Sequence, residues 1–338
     1  VKAYKIGPQT GLDSLHLSTK PDLVAGPGEA IVKVRMVCLN HRDMLVLNGT
    51  YGARRPEDRT PVSEGMGEIL SLGEGVTGLA PGTRVVAPHF VTWLDGAFHR
   101  GAFQHDVGIT HDGWLAEQVR VPAAALIAVP DALTDMQVAP LSSSALTAWN
   151  AVVEVGKVKA GDTVLALGTG GVSIFALQIA KMHGARVAIT SSSDEKLELA
   201  RSLGADICIN YRTRPDWEAA LLEATGGGGA DIVVDTAGQA TLRQSIDAAA
   251  VNGRIALIGA LAGQAKEGLP NFGAIIGKNL VIAGIAEGSR AMLARLVRAI
   301  EVNGLQPVID RVFGFDEALE AYRYLHAGTH VGKVLIKF

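Results

Sequence analysis

The spacing of apolar residues changes once along the chain, near residue 130, and the change separates two kinds of structure. Before it, residues 30–36 alternate, with Val32, Val34 and Met36 on one face and Lys33 and Arg35 on the other. That two-residue period predicts a half-buried strand. Residues 67–72 and 83–87 read as further short strands, bounded by Gly73, Gly75, Pro81-Gly82 and Pro88. The first 125 residues therefore read as an irregular β region. Residues 88–113 carry little periodicity, and so long a connection is usually functional or mobile.

After residue 130, β-rich runs at 163–167, 186–190, 206–209, 231–235, 254–258 and 279–285 alternate with helical segments at 172–183, 194–203, 216–224 and 242–250. This order predicts right-handed βαβ crossovers and a parallel sheet. Residues 289–303 place Met292, Leu293, Leu296, Val297 and Ile300 on one helical face, and Gly304 follows as a C-terminal stop. A last helix is expected to begin at Asp316 as N-cap and to end at Gly328, before a strand at 333–336.

Composition narrows this picture. The 338 residues give a prior of two domains, and 48% hydrophobic residues exclude a disordered chain. A net charge of −3 without a basic stripe argues against nucleic acid as the main partner. Two cysteines, Cys38 and Cys208, cannot build a disulfide framework, and no basic segment leads into an apolar run at the start. The longest uncharged apolar stretch, 163–180, holds Gly168, Thr169, Gly170, Gly171 and Ser173 at its middle. It reads as strand, turn and helix, with no membrane span. The expectation is a cytoplasmic protein with no membrane partner.

The same stretch carries the clearest chemistry. Gly168 permits a tight turn after a strand, Gly170 lets backbone approach a pyrophosphate, and Gly171 and Val172 open the helix whose free N–H groups attract an anion. Ser173 stands at the third small position, where helix packs on strand. At the end of the second strand, Ser191-Ser192-Ser193 replaces the acid that would hold an adenine ribose, and Lys196 lies one turn on. The serines either bond a 2′-phosphate, which favours NADP over NAD, or cap the helix near Asp194. Ala237-Gly238 and Gly259-Ala260 follow later strands, at the end where a parallel sheet presents its ligand crevice.

Nearly end to end the chain resembles the medium-chain dehydrogenase/reductase superfamily. The resemblance rests on Gly28-Glu29-Ala30, Pro81-Gly82-Thr83-Arg84-Val85, Gly113-Trp114-Leu115-Ala116-Glu117, the turn at Gly168, Gly204-Ala205-Asp206 and Gly332-Lys333-Val334. It implies an α/β chain with two domains. The first is a GroES-like catalytic domain from residues 1–125, completed by 305–338. The second is a doubly wound Rossmann nucleotide-binding domain at 126–304. Where zinc alcohol dehydrogenases of the family hold a catalytic metal, the aligned positions are Asn40, Ser63 and Ser143, and Gly-His-Glu becomes Val62-Ser63-Glu64. None of the three is a customary zinc ligand, and the four cysteines of the structural zinc lobe are absent. The chain is thus similar to the zinc-free branch of quinone oxidoreductases and enone reductases. His89, His99, His105 and His111 match no compact ligand spacing, so no metal residues are expected. Phe90, Trp93, Phe98, Phe103 and Trp114, interleaved with them, either line a pocket or anchor the loop.

The resemblance also implies site residues. Asn40 is placed to donate to a substrate oxygen and His41 to face the pyrophosphate. Asp43 and Glu64 are either functional or loop-pinning, Thr147 packs on the nicotinamide, and Tyr211 flanks the adenine side. Glu287-Gly288-Ser289-Arg290 either closes over the nicotinamide or is a turn with an N-cap at Ser289. Without a Lewis acid, a conjugated enone or quinone is the easier hydride acceptor, because its product anion is delocalised. The leading reading is NADPH-dependent reduction of such a small molecule. A zinc-free alcohol or aldehyde dehydrogenase is the alternative, and a non-catalytic NADPH-binding protein is the alternative of another class. The apolar run at 279–285 as an edge strand implies a homodimer.

Overall fold

The computed structural model describes residues 1–51, 57–259 and 270–338; Ala260 lies outside them. Among the described residues the strands are β1 (Lys2–Ile6), β2 (Leu15–Thr19), β3 (Glu29–Leu39), β4 (Gly65–Leu72), β5 (Arg84–Val86), β6 (Gln118–Pro122), β7 (Ile127–Ala128), β8 (Thr163–Ala166), β9 (Arg186–Ser191), β10 (Ile207–Asn210), β11 (Ala230–Asp235), β12 (Ala249–Leu257), β13 (Val281–Gly284), β14 (Ile309–Gly314) and β15 (Lys333–Lys337). They fall into two compact units, one of residues 1–146 with 288–338 and one of residues 147–287.

The first unit is built on a sheet of order β14-β15-β3-β4-β5-β7, with β6 also paired to β3. Strand β3 explains the site that follows it. Its first half alternates as expected, with Lys33 and Arg35 exposed between buried Val32, Val34 and Met36. From Met36 to Leu39 every side chain is buried, so the strand outruns the alternating pattern that ended at 36. Strand β15 pairs antiparallel with this fully buried half, Val334 opposite Leu39. The C-terminal segment thereby covers the strand that leads to Asn40, and sets Lys333 beside it. Trp114, Leu39, Leu47, Ile69, Tyr322 and Ile336 form part of the common core.

The second unit is a six-stranded parallel sheet of order β10-β9-β8-β11-β12-β13. Numbered within the unit this is 3-2-1-4-5-6, with the topological switch point between β8 and β11, where α/β sheets bind ligands beyond their carboxyl ends. Leu165, Ala188, Trp217, Val233, Ile246 and Ile255 belong to its core. The continuous apolar runs seen in sequence are those of a sheet covered on both faces.

Three features differ from expectation. Residues 126–146 and helix Arg290–Asn303 group with the first unit, although 126–304 is expected to form the nucleotide-binding domain. The first turn of that helix is tied there by Arg290 N–H to Trp93 O at 3.0 Å and Ala291 N–H to Leu94 O at 2.9 Å. Asp316 is not the N-cap of the last helix. It lies within a short 3-10 turn, Phe315–Glu317, and the helix runs Ala318–Ala327 to a left-handed Gly328. Strands β1, β2, β6, β7 and β14 and helices His41–Leu47, Asp135–Val138 and Phe272–Gly277 are not among the elements the sequence pattern predicts.

Candidate active site

In the first unit, four distant segments bring polar side chains to one buried place. Asn40 leaves β3 and begins helix His41–Leu47, and its N–H donates to Asp43 Oδ2 at 2.7 Å. The Asn40 amide is fully committed. Its Nδ2 donates to Glu64 Oε2 at 2.8 Å and to Cys38 O at 3.4 Å. Its Oδ1 accepts from Lys333 Nζ at 2.6 Å and from Ser144 Oγ at 2.8 Å. Lys333 spends its remaining donors on Leu39 O at 3.1 Å and Ser144 Oγ at 2.8 Å, and its ammonium lies 3.5 Å from Glu64 Oε2. Glu64 Oε1 accepts the Ser143 N–H at 2.6 Å. The Asn40 side chain therefore supports the network and leaves no N–H for the substrate oxygen to which it was expected to donate.

Burial makes these bonds obligatory. Glu64 is wholly buried and Lys333 and Asp43 nearly so, and an ionised group in such a place persists only when paired. Burial works against the Lys333 ammonium, but the Cys38 sulfur and the Glu64 and Asp43 carboxylates outweigh it and hold its pKa above the ordinary value. Burial raises Asp43 to about 6, against the opposing pull of Arg42, the Asn40 N–H and Lys333. Burial likewise pushes the Cys38 thiol well up. Beside the cluster, Arg42 Nη2 holds both oxygens of buried Asp106, at 2.9 and 2.7 Å, and its guanidinium lies over the Tyr51 ring. Val62, ahead of Ser63 and Glu64, has φ +74°, a left-handed conformation that strains a β-branched residue.

The donor set does not fit a zinc ion. The aligned positions offer an amide oxygen already taken by two donors and two serines, and an ammonium sits 2.6 Å from that amide. Among the described residues no group of three or more His, Cys, Asp or Glu side chains could hold a metal. His105 and His111 meet ring nitrogen to ring nitrogen at 3.1 Å. The aromatics of this loop pack on one another, Phe90 against Phe98 and Phe103, and Trp93 against Phe98, which is an anchoring arrangement.

In the second unit, β8 leads to Gly168, whose φ of +80° requires a left-handed turn. A side chain at Gly168 or Gly170 would meet no atom within 4 Å, so open space lies over the turn. Gly170 is the N-cap of helix Gly171–Met182 and provides no side-chain cap, leaving the first-turn N–H groups, from Gly171 and Val172 on, for an anion. Ser173 Oγ donates to Leu167 O at 2.7 Å, which accounts for serine at the third small position. These features fit a dinucleotide's diphosphate. Ser191 Oγ lies 3.1 Å from Thr169 Oγ1, and Tyr211, partly exposed, donates its N–H to Ser191 O. Ser193 caps helix Asp194–Ser202 by accepting from Lys196 N, so this serine does the capping while half-buried Ser192 has no such task.

Sequence reasoning missed Asp235, the fully buried residue that organises the end of β11. Its carboxylate accepts from Ala237 N, Gly238 N, Thr241 Oγ1 and Ser245 Oγ. Gly259 is required because a Cβ there would lie 1.7 Å from Thr236 O. Thr147 and Glu287 are both buried, and the Glu287 carbonyl accepts from Asn150 Nδ2. His41 is exposed at the start of its helix. Arg290 donates to Leu126 O at 3.2 and 3.0 Å and Ser289 Oγ accepts from Met292 N, so the turn-and-cap reading describes this segment. Lys333 and Asp235 each stand at one end of an apolar run, and Ser144 closes a run of three serines.

Comparison with known proteins agrees with both units. Residues 26–131 match the alcohol dehydrogenase GroES-like domain family and residues 171–301 the zinc-binding dehydrogenase family. A zinc-type alcohol dehydrogenase-like protein of Schizosaccharomyces pombe is 41% identical over 317 residues, 92% of this chain and 91% of that protein. The chain is a medium-chain dehydrogenase/reductase. An acryloyl-coenzyme A reductase of Metallosphaera sedula is 31% identical, over 91% of this chain and 92% of its own length. Among solved structures, a putative alcohol dehydrogenase from Sinorhizobium meliloti 1021 is similar with a TM-score of 0.92 at 40% identity, covering 100% of this chain and 99% of the other. An NAD-dependent alcohol dehydrogenase is similar with a TM-score of 0.90 at 33% identity, over the full length of both chains. This medium-chain dehydrogenase/reductase is an oxidoreductase of the NAD(P)-dependent kind, with a GroES-like unit and a parallel-sheet nucleotide-binding unit. No helix among its described residues is long and apolar enough to cross a membrane.

Proposed function

We propose that this enzyme is an NADP-dependent, zinc-independent reductase of conjugated acceptors, α,β-unsaturated carbonyl compounds or quinones. The observation that carries the reading is the buried Asn40–Glu64–Ser144–Lys333 network, in which an ammonium and hydrogen bonds fill the place of metal donors. Similarity to an acryloyl-coenzyme A reductase supports it from the substrate side, since a conjugated thioester belongs to the same acceptor class.

When bound, the nicotinamide nucleotide supplies hydride. The chain's residues do the rest. The backbone at Gly168, Gly170, Gly171 and Val172 holds the diphosphate. Ser191, Ser192, Lys196 and Tyr211 receive the adenosine end, with hydroxyls and a cation suited to a 2′-phosphate. Ala237, Gly238 and Gly259 keep side chains away from the strand ends at the crevice, held there by Asp235. Thr147 packs on the nicotinamide, and His41 faces the pyrophosphate. Asn40 and Asp43 position the polar network of the first unit. The acceptor's developing negative charge falls to hydrogen-bond donors there, with no Lewis acid in the account.

The enzyme is a homodimer in this reading. Edge strand β13 presents exposed Val281, with Phe272, Ile276 and Val251 exposed in the same unit, and an uncovered apolar edge is ordinarily paired. The free thiols Cys38 and Cys208 suit a reducing, cytoplasmic setting. A panel of enones, quinones and simple aldehydes with NADPH and NADH tests the reading. Turnover of enones or quinones, faster with NADPH, is expected; turnover of aldehydes alone overturns it.

A further inference from the structure

The network holds one hydroxyl that is bonded by the cation and can still release its own acceptor. Lys333 uses its three N–H groups on Leu39 O, Asn40 Oδ1 and Ser144 Oγ. Asn40 uses both amide N–H groups on Glu64 and the Cys38 carbonyl. The Ser143 N–H is held by Glu64. The hydroxyls of Ser63 and Ser142 belong to residues with no exposed surface. The Ser143 hydroxyl shares the exposure of Ser144 but receives no bond from Lys333, and Ser144 differs from all of these in that respect. Its oxygen accepts from the Lys333 ammonium while its own hydrogen goes to Asn40 Oδ1. If that hydrogen swings away, Asn40 Oδ1 keeps the Lys333 bond at 2.6 Å, so no buried atom is orphaned. Ser144 also retains 6% exposure, beside Asn40 and Ser143 at 7% each.

The backbone at this point is unusual as well. Leu141–Ala145 is a π-helical turn, a rare form that recurs at functional sites, and helix Arg290–Asn303 packs against it. A hydroxyl that receives a bond from a cation becomes a stronger donor, because linked hydrogen bonds polarise one another.

We infer that the Ser144 hydroxyl is the catalytic donor to the acceptor's carbonyl oxygen, with Lys333 behind it as a positioning residue that supplies the fixed positive charge. The inference rests on the reduction of a conjugated acceptor proposed above and names the group that serves it. Hydride from NADPH forms a bond to the β-carbon, and the electron pair of the C=C bond moves through the α-carbon onto the carbonyl oxygen. Ser144 stabilises the resulting enolate, and solvent then protonates the α-carbon. The nucleotide is oxidised, and the acceptor gains one hydride, which carries both electrons, and one proton.

The test uses the full-length enzyme with NADPH and two acceptors, an enone and a quinone. Ser144→Ala is expected to lower kcat for the enone about 100-fold, the range for loss of one oxyanion donor, with NADPH affinity unchanged and the melting temperature lowered because a buried Lys333 N–H loses its acceptor. The loss for the quinone is smaller, because its reduced anion needs less help. Ser144→Thr, which keeps a hydroxyl, restores most of the enone rate. Lys333→Met lowers kcat for the enone, and the double variant is no worse than Ser144→Ala alone, since both act through one bond. If Lys333→Met does not fold, the alanine and threonine variants decide the matter. Wild-type rates in Ser144→Ala, equal losses with both acceptors, or a large loss in Ser143→Ala alone overturn the inference. If the wild type turns over only an aldehyde, the proposed acceptor class fails, but the same variants assayed on that carbonyl still decide Ser144. If nothing is turned over, both readings fall.

Discussion

The two units build function in opposite ways. In the second, the chemistry is carried by backbone: a left-handed glycine, uncapped N–H groups and the strand order that opens a crevice. In the first, it is carried by side chains from residues 40, 64, 144 and 333, which meet only when β15 closes on β3. A backbone site tolerates drift in its surroundings as long as glycine and strand order persist. A side-chain network stands or falls with each member, because every member is another's buried partner.

The largest effect that would sharpen this contrast comes from Glu64. Glu64→Leu leaves the Lys333 ammonium buried without a carboxylate and should cost about 3 to 5 kcal/mol of stability, seen as a shift in the denaturation midpoint. A change under about 1 kcal/mol would mean the network is not charged as described. The second unit answers differently. Gly170 has an ordinary φ and free space around it, so Gly170→Val should fold normally while weakening NADPH binding about 100-fold or more, measured by fluorescence titration. Unchanged affinity would remove the diphosphate from that turn.

This contrast also explains what was legible in the sequence. Most of the second unit's strands and helices lie within a few residues of their sequence patterns, because 3.6- and two-residue periods and glycines in turns are local signals, while β12 begins five residues early, at Ala249, and helix Phe272–Gly277 has no such signal. The glycine turn and the residues flanking it were legible for the same reason. Lys333 and Ser144 were not, because their role depends on partners 189 residues apart. Asn40 was found by alignment, yet its committed amide follows from Glu64 and Lys333, which no local pattern connects. Arg290 looked like a cofactor ligand from its position, but the carbonyl it holds, Leu126 O, is 164 residues away.

A smaller test concerns Asp43. Its folded pKa of about 6 lies above the usual 3.8, so the folded state holds the proton more tightly than the unfolded chain. Its contribution is fully present below about pH 4 and is lost as pH rises through about 6. Asp43→Asn should therefore flatten the pH dependence of stability across that window by about 2 to 3 kcal/mol relative to wild type, followed by urea melts. An identical slope in both proteins would refute the burial-driven shift. Least of all is expected from Lys181→Ala. Its pair with Asp206 is solvent-exposed in the second unit and should change stability by less than about 1 kcal/mol.

The central claim is that hydride reaches a conjugated acceptor at a site where the Lys333 ammonium, and no zinc, supplies the positive charge. Its most direct measurement is elemental analysis of the purified enzyme alongside its NADPH-dependent enone reduction, before and after treatment with a strong chelator. The account predicts zinc well below one atom per chain and a rate that the chelator leaves unchanged. Stoichiometric zinc whose removal abolishes the rate would contradict it.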